Sequence, residues 1–319
     1  MNRFLASLTA LSLLFVAACS DDSDEPPPPP PPLQERYELG SPDSVPEGVA
    51  FDSRDRAFYA TSLQGGSITR VDADGTESLF RAADGRASLV GAKVDTDARR
   101  LWVCAQDVDG VDNRVWVFDL DTAEQVLEFL LGALSPGGSC NDLALDADGR
   151  AYVTDPASPF IYLLDPDTGE GSVFASDPLF ADVTGIGLGL NGIAVNAAGD
   201  ALIVAKFVPA SLLAVSLPDA ATITPIALTG DALASPDGLA ELDGDIYAVS
   251  GAAVSRVRLT ADGAGGEVVA VVQESGLSTA TVAEDQLYVI KSEVTNFVLE
   301  LPLNLPFAIF RVDLDAFDN

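Results

Sequence analysis

The chain has 319 residues, 48% of them hydrophobic, and carries 49 acidic against 17 basic side chains for a net charge of −32. That charge excludes a nucleic-acid binder, because no basic surface remains to neutralise a run of phosphates. The apolar fraction supplies a core, and 27 Gly with 20 Pro suit a fold of many turns.

The chain begins with an address. Arg3 is a short basic start, Phe4 to Ala18 is an apolar run, and Val16-Ala17-Ala18-Cys19 resembles the bacterial lipobox that precedes a lipid-modified cysteine. The run is short of the roughly 20 apolar residues a spanning helix needs. Residues 1–18 are therefore expected as a lipoprotein signal peptide, with Cys19 as the lipidation site and the membrane reached only through that lipid. Ser20 after the cysteine suggests outer-membrane sorting, so the expected location is the cell envelope, on the outer membrane or its periplasmic face, with the extracellular surface as the alternative. Residues 19–35 form an acidic and proline-rich linker whose seven prolines, Pro26 to Pro32, extend as a polyproline spacer of roughly 20 Å.

From residue 36 a unit repeats. Its clearest copy is CNDLALDADGRAYVTD, Cys140 to Asp155, in which a polar pair precedes two short strands joined by an Asp148-Gly149 turn. The residue at the mouth of this hairpin recurs as Glu47, Val90, Asn141, Asn191, Asp237 and Thr279, at intervals of 43, 51, 50, 46 and 42 residues. Each hairpin is followed by a further strand, such as Val115 to Leu120 or Val254 to Leu259. Six repeats of this length predict an all-β, six-bladed β-propeller of four-stranded blades over residues 36–319. The sixth repeat lacks a last strand, and Arg36 to Leu39 is a strand with no blade of its own. It is expected to complete blade 6 and close the ring, which removes both sheet edges.

In a propeller the first strand of each blade lines the central channel, so the six mouth residues converge at one end of the axis. Glu47, Asn141, Asn191 and Asp237 offer carboxylate or amide oxygens, and hard oxygens suit Ca²⁺. The chain has no His, which leaves zinc, copper and non-haem iron without their usual ligands. Taken singly, an Asn or Asp before Gly is ordinary turn chemistry; at one register of six repeats the metal reading prevails.

The motifs PEG at Pro46 to Gly48, CND at Cys140 to Asp142, NGIAV at Asn191 to Val195 and PDGLA at Pro236 to Ala240 resemble the gluconolactonase, senescence-marker protein and luciferin-regenerating enzyme family. CNDLALDADGRAYVTD is also similar to diisopropyl fluorophosphatase. The resemblance covers about residues 45 to 313. It implies a catalytic Ca²⁺ held by Glu47, Asn141, Asn191 and Asp237, with Asp142 beside it to meet a small-molecule substrate. It also implies hydrolysis of lactones or phosphoester-type substrates, with Asp237 as catalytic base or nucleophile. Two departures stand out: Ser139 occupies the position of the Arg that grips a sugar acid in gluconolactonases, and the His base of paraoxonase-like relatives is missing.

The second strand of each hairpin returns to the mouth and ends at Ser62, Cys104, Asp155, Lys206, Ser250 and Lys291. Two of the chain's three lysines thus share one register, and Lys206 and Lys291 are expected to flank the pocket and receive an anionic group of the substrate. Cys104 and Cys140 fall on the same face of adjacent blades; a bridge between them and two buried free thiols are both compatible with an exported chain.

These features describe a monomeric, exported, lipid-anchored, calcium-dependent hydrolase of lactone or ester type. The alternative is a non-catalytic propeller in which a structural calcium supports a ligand- or partner-binding mouth. The anchor has its own test: replacing Cys19 by Ala should move the protein from the membrane fraction to the soluble one. A Cys19→Ala chain that still sediments with membranes would remove the lipid from the account.

Overall fold

Each of the six sequence repeats folds into an antiparallel sheet whose first strand faces its counterparts across a central axis. The computed structural model describes residues 30–41 and 44–317. The leader, Cys19 and most of the linker expected from the sequence lie outside the described residues. The chain divides into two units, residues 1–32 and 33–319, and the second is the propeller.

Blade 1 runs inside to outside as Pro46–Asp52, Ala57–Ser62, Ile68–Asp72 and Glu77–Arg81. Its two inner strands are buried along their whole length and its outermost strand is largely exposed. The innermost strands of blades 2 to 6 are Ala87–Asp95, Leu143–Leu145, Leu190–Val195, Leu239–Leu242 and Leu277–Ala283. Consecutive inner strands touch all the way round, the last meeting the first.

The cores lie between blades. Six clusters of buried side chains divide the interior, and each is built from two neighbouring blades. Stability is therefore largely a sum of blade-to-blade contacts, as in other repeat architectures. Charge reinforces the contact between blades 1 and 2: Arg99 of blade 2 bridges buried Asp52 of blade 1 at 2.6 Å and also reaches Asp55 and Asp121.

The ring closes as expected. Arg36–Leu39 pairs antiparallel with Phe307–Arg311, and the sheet continues through Gln286–Lys291 to Leu277–Ala283. Tyr37 is 2% exposed and packs its ring 5.2 Å from Phe58 of blade 1 and 6.4 Å from Tyr288 of blade 6. The closing strand thus fills the core between the first and last blades as well as pairing an edge. Losing a buried aromatic of this kind costs about 3–5 kcal/mol.

One blade departs from four strands. Ala227–Gly230 adds to blade 5 as a fifth strand, parallel to Gly265–Gln273. The cause is Ile226, which is buried between blades 4 and 5 and so lays the residues after it along the outer edge of blade 5. The segment after Lys291 holds one short helix, Val294–Val298. Val298, Leu299 and Leu301 remain exposed there.

Because the N-terminal strand supplies both pairing and core, deleting residues 36–44 should unfold the propeller rather than trim it. A truncated protein with an unchanged thermal melting transition would contradict the closure.

Candidate metal centre

The mouth residues reach the axis because the inner strands are irregular where they start. In blades 1, 2, 4 and 6 the pairing register shifts between Pro46 and Val49, Leu89 and Ala92, Leu190 and Ile193, and Leu277 and Ala280. Each shift spans the mouth residue, and a bulge of this kind re-aims a side chain out of the strand's alternation. In blades 3 and 5 the same place is held by hydrogen bonds just before the strand: Asn141 N donates to Thr154 O at 3.0 Å, and Asp237 N to Val249 O at 2.7 Å.

A closed circle of hydrogen bonds then fixes these backbones against one another. Thr61 Oγ1 donates to Val90 O at 2.7 Å, linking blade 1 to blade 2. Gly91 N donates to Asn141 O at 3.0 Å, and Thr154 Oγ1 to Asn191 O at 2.6 Å. Gly192 N donates to Asp237 O at 2.6 Å and Gly238 N to Ser278 O at 3.0 Å, and Ser278 Oγ returns to Glu47 O at 2.6 Å. The approach demands glycine: a Cβ on Gly192 would lie 2.5 Å from Asp237 O, and one on Gly238 would lie 2.1 Å from Thr279 Oγ1. The segment before Asn141 is held as well, with Ser139 N donating to Asp155 Oδ2 at 3.0 Å and Gln106 Nε2 to Cys140 O at 2.7 Å.

At the centre is a void of about 10 Å³ lined by Glu47, Gly91, Asn141, Asp142, Asn191, Asp237, Gly238 and Thr279, room for about one water or small ion. The four donors expected from separate blades, Glu47, Asn141, Asn191 and Asp237, all line it. So does Asp142. Glu47, Asp142 and Asn191 are buried, whereas Asn141 and Asp237 keep an edge open to solvent, which is the side from which a ligand would reach the void.

The electrostatics are those of crowded, buried acids. Burial pushes the Glu47 carboxyl well above its usual range, and the charges of Asp237 and Asp142 push it further. Close packing likewise pushes Asp237 up to about 7, opposed by a hydrogen bond from Asn191 and aided by the charge of Asp142. Asp142 is raised by burial, against the pull of Lys93.

The donor set suits a hard cation. Three buried oxygens at this void, Glu47 Oε2, Asp142 Oδ2 and Thr279 Oγ1, have no hydrogen-bond partner, and buried polar atoms in that condition call for an unseen ligand. Among the described residues no group of three or more His, Cys, Asp or Glu could by itself hold a metal ion. The hub differs in that Asn amide oxygens make up half of the four-donor set, the mixed carboxylate and carbonyl chemistry that calcium accepts.

A family model described as the SMP-30/Gluconolactonase/LRE-like region matches residues 45–290. The chain belongs to that family. No curated protein matches it in sequence. Among solved structures it resembles the Malassezia sympodialis allergen Mala s 1, with a TM-score of 0.71, 15% identity and coverage of 90% of this chain and 98% of the allergen. It also resembles a gluconolactonase of Xanthomonas campestris, with a TM-score of 0.63, 20% identity and coverage of 87% and 88%. A virginiamycin B lyase of Staphylococcus aureus shares the fold at a TM-score of 0.55 and 12% identity, covering 87% of this chain and 98% of the lyase. At these identities the structural likenesses establish the propeller, and the family rests on the matched region.

Other residues singled out in the sequence lie away from the void. Lys206 Nζ donates to Leu179 O at 2.7 Å, and Lys291 Nζ donates to Asn304 O at 2.7 Å and lies 3.8 Å from Glu293 Oε1. Each ammonium braces a loop on the mouth face, and neither lines the hub. Cys104 and Cys140 are free and buried in the core between blades 2 and 3; burial and the neighbouring Cys140 push the Cys104 thiol up. The sequence reading missed Lys93, whose Nζ lies 3.9 Å from Asp142 Oδ1. The available signal was a lysine on an innermost strand, three residues past a mouth.

The raised carboxyls fix the sign of a pH dependence. Unfolded Asp and Glu titrate near roughly pH 4, whereas Glu47, Asp142 and Asp237 hold their protons to higher pH when folded. The metal-free fold therefore binds more protons than the unfolded chain and loses stability as pH rises toward about 7. Metal-stripped protein should melt several degrees higher at about pH 5 than at about pH 8, and added calcium should raise the melting temperature more at the higher pH. Equal or opposite melting temperatures would show that these acids are not the uncompensated groups.

Proposed function

We propose that the protein is a calcium-dependent hydrolase of lactone or ester type. The observation that supports this most is the meeting of Glu47, Asn141, Asn191 and Asp237, from four different blades, around one ion-sized void in which three buried oxygens lack partners. Membership of a gluconolactonase-containing family supports the lactonase class.

Bound calcium would supply Lewis-acid polarisation of a substrate carbonyl or phosphoryl oxygen. Glu47 and Asp237 contribute charged donors, and Asn141 and Asn191 contribute neutral ones. Asp237, at the open edge of the hub, takes a proton from attacking water or attacks the substrate itself. Asn191, beside it at the void, opposes the burial that raises its carboxyl. Asp142 is set deeper, with Oδ1 receiving Leu143 N at 2.8 Å, and shapes the floor beneath the substrate. Lys206 and Lys291 retain N–H donors beyond the carbonyls they serve and would meet an anionic group at the rim.

Under this proposal the protein is exported and held at the cell envelope by the lipid on Cys19, acts on a small molecule and works as a monomer. Ser139, at the position where gluconolactonases carry Arg, directs the search toward lactones and aryl esters that lack a sugar-acid group.

The test is turnover on a panel of lactones and aryl esters. Chelation should abolish hydrolysis and calcium should restore it, while Asp237→Asn should keep the fold and reduce kcat/KM by about 100-fold or more. A folded protein that binds calcium but hydrolyses none of the panel would instead support a binding propeller with a structural cation.

A further inference from the structure

One positive charge stands beside the hub. Lys93 sits on the innermost strand of blade 2, two residues beyond Gly91, which lines the void. Its ammonium is 3.9 Å from Asp142 Oδ1, and the Asp142 side chain is 6% exposed. It acts on two of the hub acids at once, Asp142 and Glu47, and on both it opposes the effect of burial.

Charge can be counted directly. Three carboxylates, Glu47, Asp142 and Asp237, line the void, and one ammonium stands 3.9 Å from the Asp142 carboxylate. Ionised, the ensemble carries three negative charges and one positive, a net charge of −2. A divalent cation would bring it to zero. Without the ammonium the same cage would carry −3, the complement of a trivalent ion. Buried charge is tolerated only when compensated, so the internal counter-charge decides which ionic valence leaves nothing uncompensated.

We propose that Lys93 is the valence-selecting residue of the hub: by neutralising Asp142 it sets the cage at −2 and matches it to a divalent cation. The inference rests on the calcium reading of the hub and adds to it a residue that does not itself line the void. Lys93 is a positioning residue in the same sense, since its ammonium pairs with Asp142 Oδ1 while Asp142 Oδ2 has no hydrogen-bond partner.

The experiment compares calcium with terbium(III) on metal-stripped full-length protein, by titration calorimetry with each ion alone. Lys93→Met should shift the ratio of terbium to calcium affinity toward terbium by about tenfold or more, because one charge a few ångströms away acts on the difference of one unit between the ions. Asp142→Asn, which leaves the ammonium unpaired, should shift the ratio the other way. The double variant, whose hub again carries −2 less one matched pair, should return to within about twofold of the wild type. An unchanged ratio in Lys93→Met, or no opposite shift in Asp142→Asn should the first variant fail to fold, would overturn the proposal. Wild-type protein that takes up neither ion would overturn the calcium reading itself, an outcome distinct from uptake with an unaltered ratio.

Discussion

The structure depends on the circle of hydrogen bonds by which each blade holds the backbone of the next at the hub. In five of its six links the accepting carbonyl belongs to a mouth residue, Val90, Asn141, Asn191, Asp237 or Glu47, and in the sixth to Ser278 beside Thr279. A single link of this kind contributes about 1 kcal/mol net. The circle matters more for geometry than for that sum: the backbone carrying each donor is clamped by a neighbour, so no donor can move without its two adjoining blades. Preorganisation of this kind holds the oxygens of Glu47, Asn141, Asn191 and Asp237 around one void, at the cost of crowding acids whose carboxyls are pushed up by burial.

The same constraint explains where the molecule carries its small side chains. Gly192 and Gly238 follow Asn191 and Asp237 because the neighbouring backbone or side chain occupies the space a Cβ would need. Between the blades, by contrast, large apolar groups fill the widening wedges, with Trp102, Trp116, Tyr59 and Tyr152 among the largest fully buried side chains. Narrow at the axis and broad outside, a propeller sorts residue size by radius. The site lies at the narrow end, where backbones are closest and a few side chains dominate the field.

The mouth face combines that rigid hub with longer loops. Lys206 and Lys291 each tether a loop through a carbonyl, and the loops expose Val183, Ile186, Val298 and Leu299. The opposite ends of the strands are joined by tight turns rich in Asp, among them Asp95 to Asp97, Asp119 to Asp121 and Asp146 to Asp148. Much of the chain's negative charge is thereby spent on turn chemistry, in which Asp side chains accept from their own following backbone, while the acids of the hub face inward.

What the sequence alone determined was everything that repeats. The period of 42 to 51 residues, the hairpin turns, the six blades, the closing role of Arg36 to Leu39 and the register of the mouth residues are consequences of local alternation and turn residues, which each repeat states again. Tertiary structure decided what does not repeat. The pairing of Lys93 with Asp142, the free state of Cys104 and Cys140, the fifth strand of blade 5 and the carbonyl partners of Lys206 and Lys291 each depend on where one blade stands relative to another. That placement is set by bulges and by the packing of Ile226 or Tyr37 into an interface, terms that carry no periodic signal along the chain.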